Sequence, residues 1–222
     1  ANPLTHAIRR RRSAEVVRML LDAGANPHAR NAHGVDAYRF ARSMGLADVA
    51  SLLRDAGAAS AEDETDAFLA ACASADGATV RAMLDADPRR IERLSEAQLR
   101  LLPELAANGC GDAVRTMVEA GWPVSVPGGD WRASALNHAV FRGDAALTAF
   151  LVAHGARHDE RHGYGDNVYG TLSFASNEAP VDGGDWLGCA HALIDGGAPL
   201  PDTDYAFADD VAEYFAERRR AS

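Results

Sequence analysis

The chain has 222 residues, 47% of them hydrophobic, with a formal net charge of −10. That balance supplies a continuous core and argues against a nucleic-acid backbone or an anionic membrane as the main partner, since both repel an acidic protein at long range. All 22 basic residues are arginine, which excludes lysine Schiff-base chemistry and a phosphate-binding P-loop lysine.

No apolar run approaches the ~18 residues that span a bilayer. The opening Ala1-Asn2-Pro3-Leu4 does not read as a secretory signal. Cys72, Cys110 and Cys189 are odd in number and lack the paired spacing of zinc or redox sites. They are expected to be reduced structural thiols in a cytoplasmic protein. Arginine without lysine, with much alanine, is the composition expected of a GC-rich bacterial genome.

In chain order, Asn2-Pro3-Leu4 opens the first helix. Asn2 suits the cap, and Pro3 suits a position whose missing N–H had no partner to lose. The run Arg9, Arg10, Arg11, Arg12 falls in the turn that follows and reads as solvated or as a contact to an acidic partner. A second helix then carries Val16, Val17, Leu20 and Leu21 at helical spacing, forming one apolar face. Gly24 stops it, because glycine takes the left-handed conformation there at little cost. The same phrase, or a variant of it, recurs with stops at positions 57, 87, 121, 155 and 197, giving steps of 33, 30, 34, 34 and 42 residues. A period near 33 is the signature of a stacked repeat. The chain starts inside a repeat, which predicts that the natural protein extends upstream of Ala1.

Asn-Pro-Leu…Ala at the opening, Leu-Leu-Asp-Ala-Gly-Ala-Asn at residues 20–26 and this period resemble the ankyrin repeat. Ser134-Ala135-Leu136-Asn137-His138-Ala139 is a weaker version of that opening. No copy carries the full Thr-Pro-Leu-His motif. The resemblance implies an all-α, helix-turn-helix solenoid with hairpin or loop tips, and a protein-binding role through the concave face and the tips. The expected repeats are 1–25, 26–58, 59–88, 89–122, 123–156 and 157–198, with a capping helix in 199–222.

The later repeats read as follows. The second has its tip at 26–34 and helices around 37–41 and 46–55. The third has helices at 62–75 and 78–86, followed by a plain loop to Leu94. The fourth opens on a capping box, Ser95 to Gln98, with helices at 96–107 and 111–120 and a kink or restart at Pro103. The fifth has its tip at 122–131 and helices at 134–141 and 145–154. The sixth has an enlarged tip at 156–168, helices at 170–176 and 186–195, and a loop between them. An amphipathic helix at 205–220 closes the array, as an open stack requires.

The sixth tip is the densest polar and aromatic stretch, and His158, His162, Tyr164, Asp166 and Asn167 are its candidate contacts. His158 and His162 are four apart, but Gly163 and Gly165 argue against a helical metal pair, and no third ligand is fixed by spacing. The motif Gly-Gly-Asp-Trp occurs at 128–131 and 183–186. The second copy reads as Asp185 capping a helix, and the first presents Trp131 as a contact anchor. Tyr38, Arg39, Arg42, Phe141 and Arg142 fall on first helices, which the resemblance puts on the concave face. No cofactor is expected, and no hydrolase or metalloprotease motif is present. The alternative to a partner surface is a small-molecule or catalytic pocket in the sixth repeat around His162, Asp166 and Asn167.

Overall fold

The computed structural model describes residues 2–61, 63–179 and 181–221. Among them, fourteen α-helices occur with no strand, only two isolated antiparallel bridges. The helices are α1 (Pro3–Arg9), α2 (Ala14–Asp22), α3 (Ala37–Ser43), α4 (Ala47–Asp55), α5 (Glu64–Ala73), α6 (Gly77–Ala86) and α7 (Glu96–Leu99). They continue as α8 (Leu101–Ala107), α9 (Gly111–Glu119), α10 (Ala135–Phe141), α11 (Ala145–Ala153), α12 (Val168–Asn177), α13 (Trp186–Asp195) and α14 (Asp209–Ala221).

Side-chain caps begin most of these helices. The Asn2 carboxamide oxygen accepts from the Leu4 amide at 2.9 Å. Ser13, Asp36, Asp76, Ser134, Asp144 and Asp185 do the same for their helices. Second helices end as expected at Gly24: the Gly24 amide bonds to Leu21 O and the Ala25 amide to Leu20 O, each at 2.9 Å. Gly24 has φ +87° with open space around it, so only the backbone conformation demands glycine there.

The chain forms two compact units: residues 1–101 with 112–120, and residues 102–111 with 121–222. Within unit 1, α1 packs on α2 and α3, α3 on α4 and α5, α2 on α4, and α5 on α6. Within unit 2, α10 packs on α11 and α12, α11 on α13, α12 on α13, and α13 on α14. First helices thus stack on first helices and second helices on second helices. Leu4, Ile8, Val17, Val49 and Leu53 are buried in unit 1, and Leu102, Leu136, Leu147, Leu151 and Leu193 in unit 2.

The structure corrects several expectations. Of the apolar face read on α2, Val17 is buried and Leu20 and Leu21 are half-buried, but Val16 is 39% exposed. In α13 the residue equivalent to Val16, Cys189, is covered by the pair before it: its Sγ lies 3.5 Å from Thr148 Oγ1 of α11. No helix pair precedes α1 and α2 among the described residues, so that side of α2 stays open. The connection before Leu94 contains a 3-10 turn, Ile91–Arg93, rather than a plain loop. The break in the fourth pair falls at Arg100, between α7 and α8, not at Pro103. Proline is tolerated in the first turn of α8, where amide groups have no helical partner. The closing helix starts at Asp209, because Phe207 packs on Phe215 (5.0 Å between centroids) from outside it. Of the expected third-repeat helix, Glu62 lies outside the described residues, as do Ala1 and Ser222 of the expected boundaries.

Candidate functional site

The sixth tip is built as a tight turn with a precedent in the second. The His162 amide bonds to Asp166 O (3.0 Å) and the Gly165 amide to His162 O (2.9 Å). Arg161 Nη1 closes the turn on Gly165 O at 2.5 Å. In the second tip, the Asn31 amide bonds to Val35 O and the Gly34 amide to Asn31 O, and Arg30 Nη1 donates to Gly34 O at 2.6 Å. The two turns share one architecture, and the second has exposed His33 where the sixth has Tyr164, with the same backbone bonds. Tyr164, 82% exposed, is therefore not required by the turn that carries it.

The fifth tip is a short hairpin bridged between Gly128 and Ala133. Gly129 has φ +72°, and a Cβ there would lie 2.7 Å from His138 Nε2. Buried His138 lies 3.4 Å, through Nε2, from Gly128 O and supports the hairpin from below. Burial depresses its pKa to about 4, so the ring is neutral at neutral pH. Trp131 lies on this base. Its ring meets His138 edge-on at 4.8 Å, His162 at 5.0 Å and Phe141 at 5.7 Å. A backbone bond from the Gly163 amide to Trp131 O, 2.7 Å, ties the fifth and sixth tips together. Phe141 stacks on Phe174 at 6.4 Å, and His162 meets Tyr164 at 5.9 Å. The result is a continuous aromatic ledge in unit 2, running from Tyr164 through His162, Trp131 and Phe141 to Phe174. Burial also depresses the His162 pKa, partly opposed by Asp166.

A buried polar network lies beneath. Ser134 Oγ accepts from the Asn137 carboxamide (3.2 Å), which also donates to Glu160 O (3.1 Å). Thr171 Oγ1 donates to Asn137 Oδ1 at 2.6 Å, linking α10 to α12. Such satisfied networks fix the relative register of the elements that carry the rings.

The other sequence candidates have structural partners. Asn167 caps α12 through the Tyr169 amide (2.8 Å), and Asp166 accepts from the Tyr205 hydroxyl (2.6 Å). His158 packs on Tyr169 at 6.0 Å. Arg142 donates to Ala107 O at 3.5 Å and lies against Gly109. In unit 1, Arg39 Nε binds buried Asp66 at 2.6 Å and its Nη2 binds Asp63 at 3.1 Å. Tyr38 and Arg42 are half-buried and engaged by neighbours. The turn at residues 9–12 puts Arg11 at φ +48°, with its guanidinium on Met44 O.

Phe174 and His138 were not among the sequence candidates. The signal for Phe174 was present: it is the seventh residue of α12, as Phe141 is of α10. Cys72 and Cys189 are buried thiols with pKa values pushed up to about 12, which makes them poor nucleophiles. Among the described residues no group of three His, Cys, Asp or Glu side chains is arranged to hold a metal ion. Nor is any helix there long and apolar enough to cross a membrane.

Residues 1–32 match the family model of the ankyrin repeat. No curated protein matches the chain. Among solved structures, the ankyrin repeat domain of Bcl-3, described as a unique member of the IkappaB protein family, is similar over 97% of this chain and 98% of its own. Its identity is 21% and its TM-score 0.52. The human ASB11 ankyrin repeat domain is similar over 98% of each chain, with 18% identity and a TM-score of 0.52. At these identities the likeness is one of fold.

Proposed function

We infer, from the ankyrin-repeat fold that this chain has, that it is a protein-binding module whose contact surface is the aromatic ledge of unit 2. Ankyrin repeat domains generally mediate protein–protein interaction. The observation that carries the reading is exposure without structural need: Tyr164 and Phe174 are 82% and 53% exposed at the two ends of a packed row of rings. Large aromatics held rigid by neighbours bury much area at little entropic cost, the usual property of binding anchors. In this reading Trp131, Phe141, His162, Tyr164 and Phe174 touch the partner. Asp166, Asn167 and Arg142 hold the elements that present them. The pocket alternative gains no support from Asp166 and Asn167, whose side chains are engaged within the fold. We take the protein to be cytoplasmic and bacterial, on its cysteine and arginine usage.

A photo-crosslinking residue at position 164 of the full chain tests this, against the same probe at Ala149, exposed on α11. Discrete crosslinked proteins in native cell extract are expected from position 164 alone. Indistinguishable patterns from both positions would overturn the reading.

A further inference from the structure

The net charge is segregated. Unit 2 holds seven of the 22 arginines and sixteen of the 32 acidic residues, a formal −9 of the chain's −10, while unit 1 is almost neutral. The negative field is therefore generated by the unit that carries the ledge. Part of it lies at the Phe141 end of the ledge. Phe141 runs directly into Arg142, Gly143 and Asp144, which line a cleft of 420 Å³ together with Asp182 and Asp185. Arg142 lines the same cleft and keeps its charge while donating to Ala107 O, so one arginine faces three aspartates and the cleft lining is net negative. At the tip end of the ledge, Arg161 donates to Gly165 O and Arg132 is exposed beside Trp131.

Resting on the ledge as the binding surface, we propose that it docks a basic segment of a partner protein. Arginine or lysine side chains of that segment lie over Trp131, Tyr164 and Phe174 and face Asp144 and Asp182. Two independent terms select this occupant. Ring faces attract cations through their quadrupole, and guanidinium groups stack on them. A unit of one dominant sign steers an oppositely charged partner and repels an acidic one over about 8 Å at physiological salt. An acidic or neutral apolar segment gains only the contact with the rings.

Selection of a random-peptide phage library on the full chain tests the proposal, with the enriched peptides then measured on the Tyr164→Ala, Phe174→Ala double variant. Enriched peptides are expected to be net positive. Their binding, read by fluorescence anisotropy, is expected to weaken with added salt and by about tenfold in the double variant. Arg132→Glu is expected to tighten it several-fold and Asp182→Asn to loosen it. Net negative or neutral peptides, or weaker binding to Arg132→Glu, would overturn the basic-segment proposal while leaving the ledge standing. Peptides that bind the double variant as well as the wild type, or no enrichment at all, would remove both.

Discussion

His138 shows how a single residue sets the conditions under which the ledge exists. Its ring is buried under Trp131 and the hairpin, with a pKa of about 4 against an ordinary 6.5. The folded state thus binds fewer protons than the unfolded chain between those values. Stability is unaffected by this group above pH 6.5 and falls as pH drops from 6.5 toward 4, by about 3 kcal/mol in full. Thermal melts at pH 7 and pH 4.5 are expected to show a larger loss for the wild type than for His138→Gln. Gly143 makes a second residue-scale point. Its φ is +65°, and a Cβ would lie 2.6 Å from both the Asp185 amide and Gly184 Cα. Gly24 shares the positive φ but faces open space. Alanine at Gly24 is expected to cost about 1 kcal/mol, and at Gly143 about 3 kcal/mol, because backbone must also move. Urea denaturation of the two variants separates these cases. Alanine at Tyr164, by contrast, is expected to leave stability within about 0.5 kcal/mol.

At the scale of elements, helix starts were legible wherever a capping side chain precedes an apolar residue. Asn2, Asp185 and the Ser95–Gln98 box all act as read. Asn167 carries the same signal and caps α12, which starts at Val168, two residues before the expected start at position 170. Asn167→Ala is expected to cost about 1 kcal/mol through the lost cap. It should weaken partner binding only indirectly, through the position of Phe174. A melt compared with a binding isotherm distinguishes the two effects. Arg39, a contact candidate from its place on a first helix, closes an ion pair onto the capping box of α5, whose Asp66 is buried. Sequence could not show this, since the carboxylate lies 27 residues away on the next helix pair.

For the whole molecule, α14 illustrates why an open array needs an end. Val211 and Phe215 are buried, and Phe215 packs on Tyr169 at 6.1 Å and on Phe207. Phe215→Ala is expected to destabilise unit 2 by about 3–5 kcal/mol. The readout is a lower unfolding midpoint with a greater tendency to aggregate. An unchanged midpoint would mean that α14 does not act as a cap.

The sequence by itself determined the helical period, the glycine stops, the caps and the closing amphipathic helix, because each depends on residues within a few turns of one another. It also named Trp131, Phe141, His162 and Tyr164 as candidates. Tertiary structure decided that these rings form one ledge, that Phe174 extends it and that His138 supports it. The contacts that make the rings continuous, Trp131 to His162 and Phe141 to Phe174, join neighbouring repeats, and no local pattern encodes which faces meet. The division of charge was already visible in the sequence, since residues 121–222 hold seven arginines and fifteen acidic residues; tertiary structure decided that these carboxylates and the ledge belong to one unit.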